Sequence, residues 1–401
     1  MAVMPKGAEE LLIALQTPSP KGHMGIPALL WGSPGEGKSS FVESLRRDDF
    51  PIVTLIASIH DPTDFSGLPV HLNGQVRFAP PEWTFAFDET GQGILFLDEL
   101  TTAPPSVQAA LLRVVLERKV GFRPLPKGVR VVAAANPPDQ ILGGWELSPP
   151  LRNRFVHIRW ELSGEIYQKA LRDGFGQTSL PTIDLDAHAE ARNFWRMMVE
   201  VFLRRNPNLA KTSPSEEEYA FASPRTWDFA IALAASCDLL GKAPKPGQKG
   251  SEVFLNLVEG CVGRGVAIAF AQFLQTLRLP DPDEVLDGKV DLDLKILRDD
   301  ELYALFSALG AALVRRQKKS TLKKSTFVNE VLVFLEIIKQ VSHDGRMDVI
   351  FVPLRQVAQG GLILQAIKIA ARTGQLIELQ QAMVSTFEET PLKEFINTLL
   401  G

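Results

Sequence analysis

The chain has 401 residues, 45% of them hydrophobic and 22% charged, which is the profile of a folded globular protein rather than a disordered or fibrous one. Its 43 basic and 47 acidic residues give a formal charge of −4, so no chain-wide basic field invites nucleic acid. Only Cys237 and Cys261 occur, which excludes a disulfide framework and a cysteine metal site; the length suits two or three domains.

Residues 1–25 predict a short helix over Ala8–Gln16 followed by a Pro/Gly loop. Met1 to Glu10 lacks the apolar core and cleavage site of a signal peptide, and the chain reads as cytoplasmic. From 26 to 161, short apolar runs alternate with helical stretches. Strands are predicted at Ala28–Trp31, Ile52–Ile56, Ile94–Leu97, Val129–Ala134 and Val156–Arg159. That alternation calls for a parallel sheet with helices on both faces, whose ligands sit at the carboxyl ends of the strands.

The first strand runs into Gly32-Ser33-Pro34-Gly35-Glu36-Gly37-Lys38-Ser39, which fits the pattern G-x-x-x-x-G-K-S/T at every required position. Ser40 to Leu45 reads as the start of a helix. Strand, glycine loop and helix together make a phosphate cradle, Gly32 through Ser40, in which backbone N–H groups and the helix N-terminus face the anion. Lys38 reaches the outer phosphates, and the Ser39 hydroxyl holds magnesium.

Ile94-Leu95-Phe96-Leu97 ends in Asp98-Glu99. A buried strand there delivers two carboxylates beside the loop: Asp98 to hold the magnesium, directly or through water, and Glu99 to polarise a water for attack on the terminal phosphate. The bland reading is a strand ending in a solvated acidic turn. Val131 to Ala135 ends in Asn136, whose amide either bonds the attacking water or terminal phosphate, or opens the Pro137-Pro138 turn. Arg152 and Arg154, just before the last strand, are either surface arginines, the commoner fate of the residue, or fingers reaching a neighbouring molecule's site.

From about 162 to 279 the pattern is helical, with apolar residues at three- and four-residue spacing over Phe194–Arg204 and Trp227–Leu240. Gly241–Gly250 is a flexible linker. Val262–Leu279 reads as a buried helix rather than a membrane span, since it carries Arg264, Gln272 and Gln275. Ser223-Pro224-Arg225 opens a helix, with Ser223 as cap and Pro224 in the first turn. Arg225 there is equally an exposed residue or one ready to swing to a phosphate.

Pro280 to Glu284 breaks the pattern again, and 280–401 is mostly helical: Asp300–Arg316, Phe327–Val341 and Val357–Thr373, with one short strand at Ile350–Val352. The basic run from Arg315 to Lys324 lacks interleaved aromatics and reads as a solvated helix end more than a nucleic-acid patch. His60, His71 and His157 lie without ligand spacing, so no metal is assigned to them.

These pieces, in this order, resemble the AAA+ ATPases, and within them the MoxR-like group. Gly32–Ser39 is similar to the Walker A loop, Leu95–Glu99 to the Walker B strand, Asn136 to the first sensor and Ser223-Pro224-Arg225 to the second sensor motif. Leu151–Phe155 resembles the arginine-finger motif, with Arg154 the better match and Arg152 the fallback, because Asn153 stands where the family has Asp or a small residue. The stretch from Asp61 to Pro80 resembles the group's helix-2 insertion, and Arg118–Arg130 its hairpin before the first sensor.

The resemblance implies a P-loop parallel αβα sandwich at 26–161, a helical lid at 162–279 and a mostly helical extension at 280–401 that matches nothing we can name. It implies ATP and Mg2+ as ligands, a ring that is most often hexameric, and Arg225 touching the nucleotide. It also implies a protein client, with a separate von Willebrand A domain protein among the expected partners. The leading expectation is an ATP-driven remodeller of protein complexes. A nucleic-acid motor or defence-system ATPase is the alternative. A nucleotide-gated scaffold is the third, and the water-activating Glu99 argues against it.

Overall fold

The five expected core strands form one all-parallel sheet. In the computed structural model, residues 4–387 are described, apart from 138–139, 141–143, 175–177, 216–217, 246, 278, 291, 319–323 and 360. The strands are β1 (Ala28–Trp31), β2 (Ile52–Ile56), β3 (Leu68–Leu72), β4 (Gln75–Ala79), β5 (Gln92–Asp98), β6 (Lys119–Val120), β7 (Arg123–Pro124), β8 (Gly128–Ala135) and β9 (Val156–Arg159). The sheet order is β2-β5-β8-β1-β9, with β3–β4 and β6–β7 as separate antiparallel hairpins.

Continuous apolar runs suit strands covered on both faces: Ile94 to Leu97 and Val131 to Ala134 are fully buried. Strands β5 and β8 start earlier than their apolar runs, because Gln92 and Gly93 pair with Gly128 and Val129 in the same ladder. The helix Pro105–Glu117 covers one face through Val107, Leu111 and Val114.

Between β2 and β5 lies a single helical turn, Thr63–Ser66, and then the β3–β4 hairpin. Its turn is Asn73-Gly74, both with positive φ (51° and 77°), the geometry of a two-residue hairpin that suits the twist of the strands. The β6–β7 turn touches it: the Phe122 N–H donates to the Phe78 carbonyl at 3.1 Å. A Cβ on Gly121 would stand 2.2 Å from that same oxygen, so the approach requires glycine.

The chain divides into two compact units. The first takes residues up to 192 together with 206–244 and 250–271; the second takes 193–205, 245–249 and everything from 272 onward. The expected lid, 162–279, is therefore shared between them. In the first unit the helix Pro224–Leu239 packs on Glu252–Val262. The helix expected over Val262–Leu279 is Arg264–Thr276, and Val262 instead ends the preceding helix, Glu252–Val262, at the break made by Gly263. That residue adopts φ 90°, and a Cβ there would lie 2.6 Å from the Glu218 carboxylate.

The second unit is a bundle whose helices include Asp299–Lys318, Lys324–His343, Met347–Gln359, Leu362–Thr373 and Leu376–Phe387 around Leu302, Phe306, Val328 and Ile338. Ile350–Val352, expected as a strand, lies inside the helix Met347–Gln359. Ile350, Leu354 and Val357 all join the bundle core at helical spacing, and that packing outweighs the β-preference of a short branched run. The helix expected over Val357–Thr373 is interrupted by Gly361 at φ 73°. The arginines of the basic run are engaged within the unit. Arg316 pairs with Asp283 (2.8 Å), Asp287 (2.7 Å) and Glu330 (2.8 Å), and Arg315 pairs with Asp283. Lys319 and Lys323 fall outside the described residues. Among the described residues no helix is long and apolar enough to cross a membrane.

Candidate functional site

At the carboxyl end of β1 the chain turns through Gly35 (φ 82°) and Gly37 (φ 75°) into a short helix, Lys38–Glu43. Both glycines take the left-handed backbone that side chains resist. The Lys38 ammonium folds back over the loop and donates to the carbonyls of Gly32 (2.5 Å) and Ser33 (3.0 Å) and to Asn136 Oδ1 (3.3 Å). Burial lowers its pKa, and the charges of Glu36 and Asp98 oppose that. The Ser33 N–H donates to Glu36 Oε2 at 3.1 Å, so a carboxylate oxygen occupies an amide of the kind a phosphate oxygen takes.

Strands β5 and β8 bring their terminal residues to the same edge. The Ser39 hydroxyl donates to Asp98 Oδ2 at 2.7 Å. Asn136 follows β8 and meets Lys38 directly. Glu99 adopts φ 55°, a left-handed conformation uncommon for a side-chain-bearing residue, and its N–H donates to Asp98 Oδ1 at 2.9 Å. The Ser58 hydroxyl donates to Glu99 Oε2 at 3.0 Å. Lys38, Ser39, Asp98, Glu99 and Asn136 thus converge, as their spacing led us to expect. Ser58 was not anticipated. It lies two residues beyond β2, and the pairing Ile56↔Asp98 sets β2 beside β5; no local pattern in the sequence reports that neighbour.

The arginines lie elsewhere. Strand β9 runs parallel to β1 with Ala28 opposite Val156, so Arg152 to Arg154 precede the sheet at its amino edge while Gly32 leaves it at the carboxyl edge. Arg152 donates to the carbonyls of Tyr219 (3.2 Å), Ser215 (2.9 Å) and Glu218, which pins that segment in place. Arg154 donates to the Pro150 carbonyl. Burial and the nearby Arg225 both push its guanidinium pKa down.

Ser223 caps the helix Pro224–Leu239 in a reciprocal capping box with Thr226, which fixes where Arg225 emerges. Arg225 Nη1 donates to Asn153 Oδ1 at 3.2 Å, and Asn153 Nδ2 donates to Ser223 Oγ at 2.9 Å. Arg225, expected to touch the nucleotide, is held by the capping box and Asn153 beside Arg154, at the edge of the sheet away from Lys38. His157 is buried between the two edges. It accepts from Trp31 Nε1 at 2.9 Å through Nδ1, so Nε2 carries the proton and donates to the Arg152 carbonyl at 3.0 Å. Burial lowers its pKa to about 4, against the raising effect of that carbonyl.

Among the described residues no group of three or more His, Cys, Asp or Glu is arranged to hold a metal ion. The oxygen pair Ser39–Asp98 still fits magnesium, which takes one or two protein oxygens and completes its shell with water and substrate phosphates.

Residues 27–155 match the AAA domain of the dynein-related subfamily. The chain is 35% identical over 138 residues to the Psp operon transcriptional activator of Escherichia coli K12, covering 32% of this chain and 42% of that one. It is 36% identical over 120 residues to the nitric oxide reductase transcription regulator NorR1 of Cupriavidus necator, covering 28% and 23%. Against the chaperone MoxR1 of Mycobacterium tuberculosis it is 30% identical over 254 residues, covering 58% and 64%. The chain spans less than half the length of the two regulators. The glycine loop, the all-parallel sheet and the family match together identify residues 27–155 as an AAA domain, and over 254 residues the chain is similar to a MoxR chaperone.

Proposed function

We propose that the chain hydrolyses ATP at a site shared between copies in a ring, most simply a hexamer, and uses the energy to remodel a partner protein. The observation that carries this reading is the separation of charges along the sheet. Lys38, Ser39, Asp98, Glu99 and Asn136 stand at the carboxyl edge of the strands, and Arg154 and Arg225 stand at the amino edge. Loose phosphoryl-transfer transition states gain from cations around the terminal phosphate, and among the described residues of one copy Lys38 is the cation at the loop.

On this reading the phosphates displace the Glu36 carboxylate from the Ser33 amide and draw Lys38 away from the Gly32 and Ser33 carbonyls. Ser39 and Asp98 would hold magnesium, which would supply charge neutralisation on the phosphates. Asn136 orients the attacking water and Glu99 takes its proton. Arg154, with Arg225 beside it, is presented to the next copy's terminal phosphate; Arg152 is occupied by carbonyls and serves as an anchor. Leu68, Val76, Phe78 and Phe122 are exposed on the two touching hairpins and form the face offered to a client, for which a separate von Willebrand A domain protein is one candidate. A cytoplasmic location suits an ATP-dependent reaction.

The test is turnover in purified variants with Mg2+ and ATP. Glu99→Gln binds ATP but hardly hydrolyses it, and Lys38→Ala loses binding. An equal mixture of Arg154→Ala and Glu99→Gln copies regains turnover. A fully active Arg154→Ala assembly overturns the shared-site assignment. The transcription regulators among the relatives motivate the second reading, a nucleic-acid-linked motor; stimulation of turnover by DNA or RNA, lost when Lys318 and Lys319 are neutralised, would favour it.

A further inference from the structure

At the amino edge of the sheet lies a cavity of about 420 Å3, and none of its lining residues belongs to the phosphate loop. Its basic lining is Lys21, His23, Arg118, Arg154 and Arg225, against one carboxylate, Asp228. The shared-site reading uses only two of these cations. Arg118 is accounted for structurally: it is buried and donates to the Val129 carbonyl at 2.9 Å. Lys21 and His23 have no such explanation.

Both come from one tight turn. Pro18 bridges Met24, the Ser19 N–H donates to the His23 carbonyl at 2.8 Å, and the His23 N–H donates to the Ser19 hydroxyl at 3.1 Å. Gly22 supplies the left-handed residue, φ 79°, between the two side chains. The Met24 N–H donates to the Lys127 carbonyl at 2.8 Å and ties the turn down. The turn is ordered by its backbone, which leaves the side chains for other work. Lys21 reaches only the Leu116 carbonyl, at 3.5 Å, too far for a firm bond. Among the described residues, His23 Nδ1 and Arg154 Nε are buried without a hydrogen-bond partner, a condition that costs free energy until an acceptor arrives.

We propose that Lys21 and His23 are phosphate-binding residues, and that this cavity takes the terminal phosphate of a nucleotide held in the loop of a second copy, with Arg154 and Arg225. The proposal rests on the shared-site reading and adds two residues to it. The cavity's cations repel one another while it holds no anion. Burial and the charges of Arg118, Lys127 and Lys21 lower the His23 pKa; burial and Arg225 lower that of Arg154. A phosphate relieves both. Pro20, Pro27, Val115 and Phe229 supply apolar walls beside these cations.

The experiment uses the full chain with Lys21→Ala, His23→Gln and the double variant. A fluorescent ATP analogue should bind the variants' own loops within about twofold of the parent, while turnover falls about tenfold for each lost charge-assisted contact. Lys21→Arg should keep turnover. Equal mixing with Lys38→Ala copies, which bring an intact cavity and no nucleotide, should restore it. Parental turnover in the double variant overturns the proposal. So does a loss that mixing leaves unrepaired while Arg154→Ala is repaired; in that case the shared site stands and these two residues are not part of it. If Arg154→Ala is not repaired either, the shared-site reading falls and this proposal with it. Inorganic phosphate titrated into Lys38→Ala separates the remaining source. Binding that Lys21→Ala abolishes, with no repair by mixing, makes the cavity a site for free anions and sinks the second-copy assignment.

Discussion

Arg225 Nη1 donates to Asn153 Oδ1 at 3.2 Å, and Asn153 Nδ2 donates to the Ser223 hydroxyl that caps Arg225's own helix. The two arginine-bearing segments are therefore latched by one amide, at the edge of the sheet away from Lys38. Arg225→Ala should leave ATP binding to the chain's own loop within about twofold and lower turnover on the order of a hundredfold, the scale of a lost transition-state cation. Asn153→Ala should lower turnover about tenfold although both arginines remain, because the latch that aims them is gone. Calorimetric ATP titration beside steady-state kinetics separates the two effects. A large loss of own-loop affinity in Arg225→Ala would put the residue back beside Lys38.

The Ser58 hydroxyl bonds the carboxylate oxygen of Glu99 at 3.0 Å, and a carboxylate held on that donor has to turn from it to face an attacking water. Ser58→Ala should raise basal turnover about threefold, the scale of one net hydrogen bond, with ATP affinity unchanged. Ser58→Thr, which keeps the hydroxyl, should behave as the parent. A fall in turnover for Ser58→Ala would mean that the bond positions Glu99 for catalysis and does not restrain it.

His157 bears on stability through its protonation. Its folded pKa of about 4 lies below the ordinary 6.5. As pH falls through 6.5 the unfolded chain takes up a proton that the folded one refuses. Stability should therefore drop between about pH 6.5 and 4 and level off below that, by a total on the order of 3 kcal/mol. His157→Gln can still accept from Trp31 and donate to the Arg152 carbonyl, and it has no proton to gain. Burial depresses the pKa of His23 and His188 as well and raises that of Glu10, so the informative quantity is the difference between parent and variant in urea unfolding at pH 7 and pH 5. Equal slopes with pH in the two proteins would contradict the assignment.

The elements whose identity rests on local chemistry were readable from the sequence: the glycine loop, the apolar strands ending in Asp98-Glu99 and Asn136, and the Ser223 cap. What escaped were relations set by the sheet order. Ser58 meets Glu99 only because β2 lies beside β5. Arg225 meets Asn153 only because the helical segment folds onto the amino edge of the sheet. The helix break at Gly361 was also missed, since apolar periodicity resumes past the Gly360-Gly361 pair, while the positive φ of Gly361 keeps that residue out of the helix. At Ile350 the branched run suggested a strand, whereas the spacing to Leu354 and Val357 that decides for a helix extends beyond it.

The second unit offers a test of how its basic run is used. Arg316 is largely buried and meets three carboxylates, Asp283, Asp287 and the buried Glu330. Removing one partner of such a group strands the others, whereas replacing the pair by apolar side chains need not cost stability. Arg316→Ala should destabilise this unit by about 3 kcal/mol, because the Glu330 carboxylate is left buried without its cation. Arg316→Met combined with Glu330→Leu should recover most of that loss. Urea unfolding of the full chain, followed by a probe in the second unit, reads both. An arginine reserved for nucleic acid would behave differently: its removal would leave stability unchanged and weaken binding of a DNA or RNA probe. A stable Arg316→Ala protein would therefore reopen the nucleic-acid reading of this segment, and an unstable one that the apolar pair repairs would assign Arg316 to holding the bundle together.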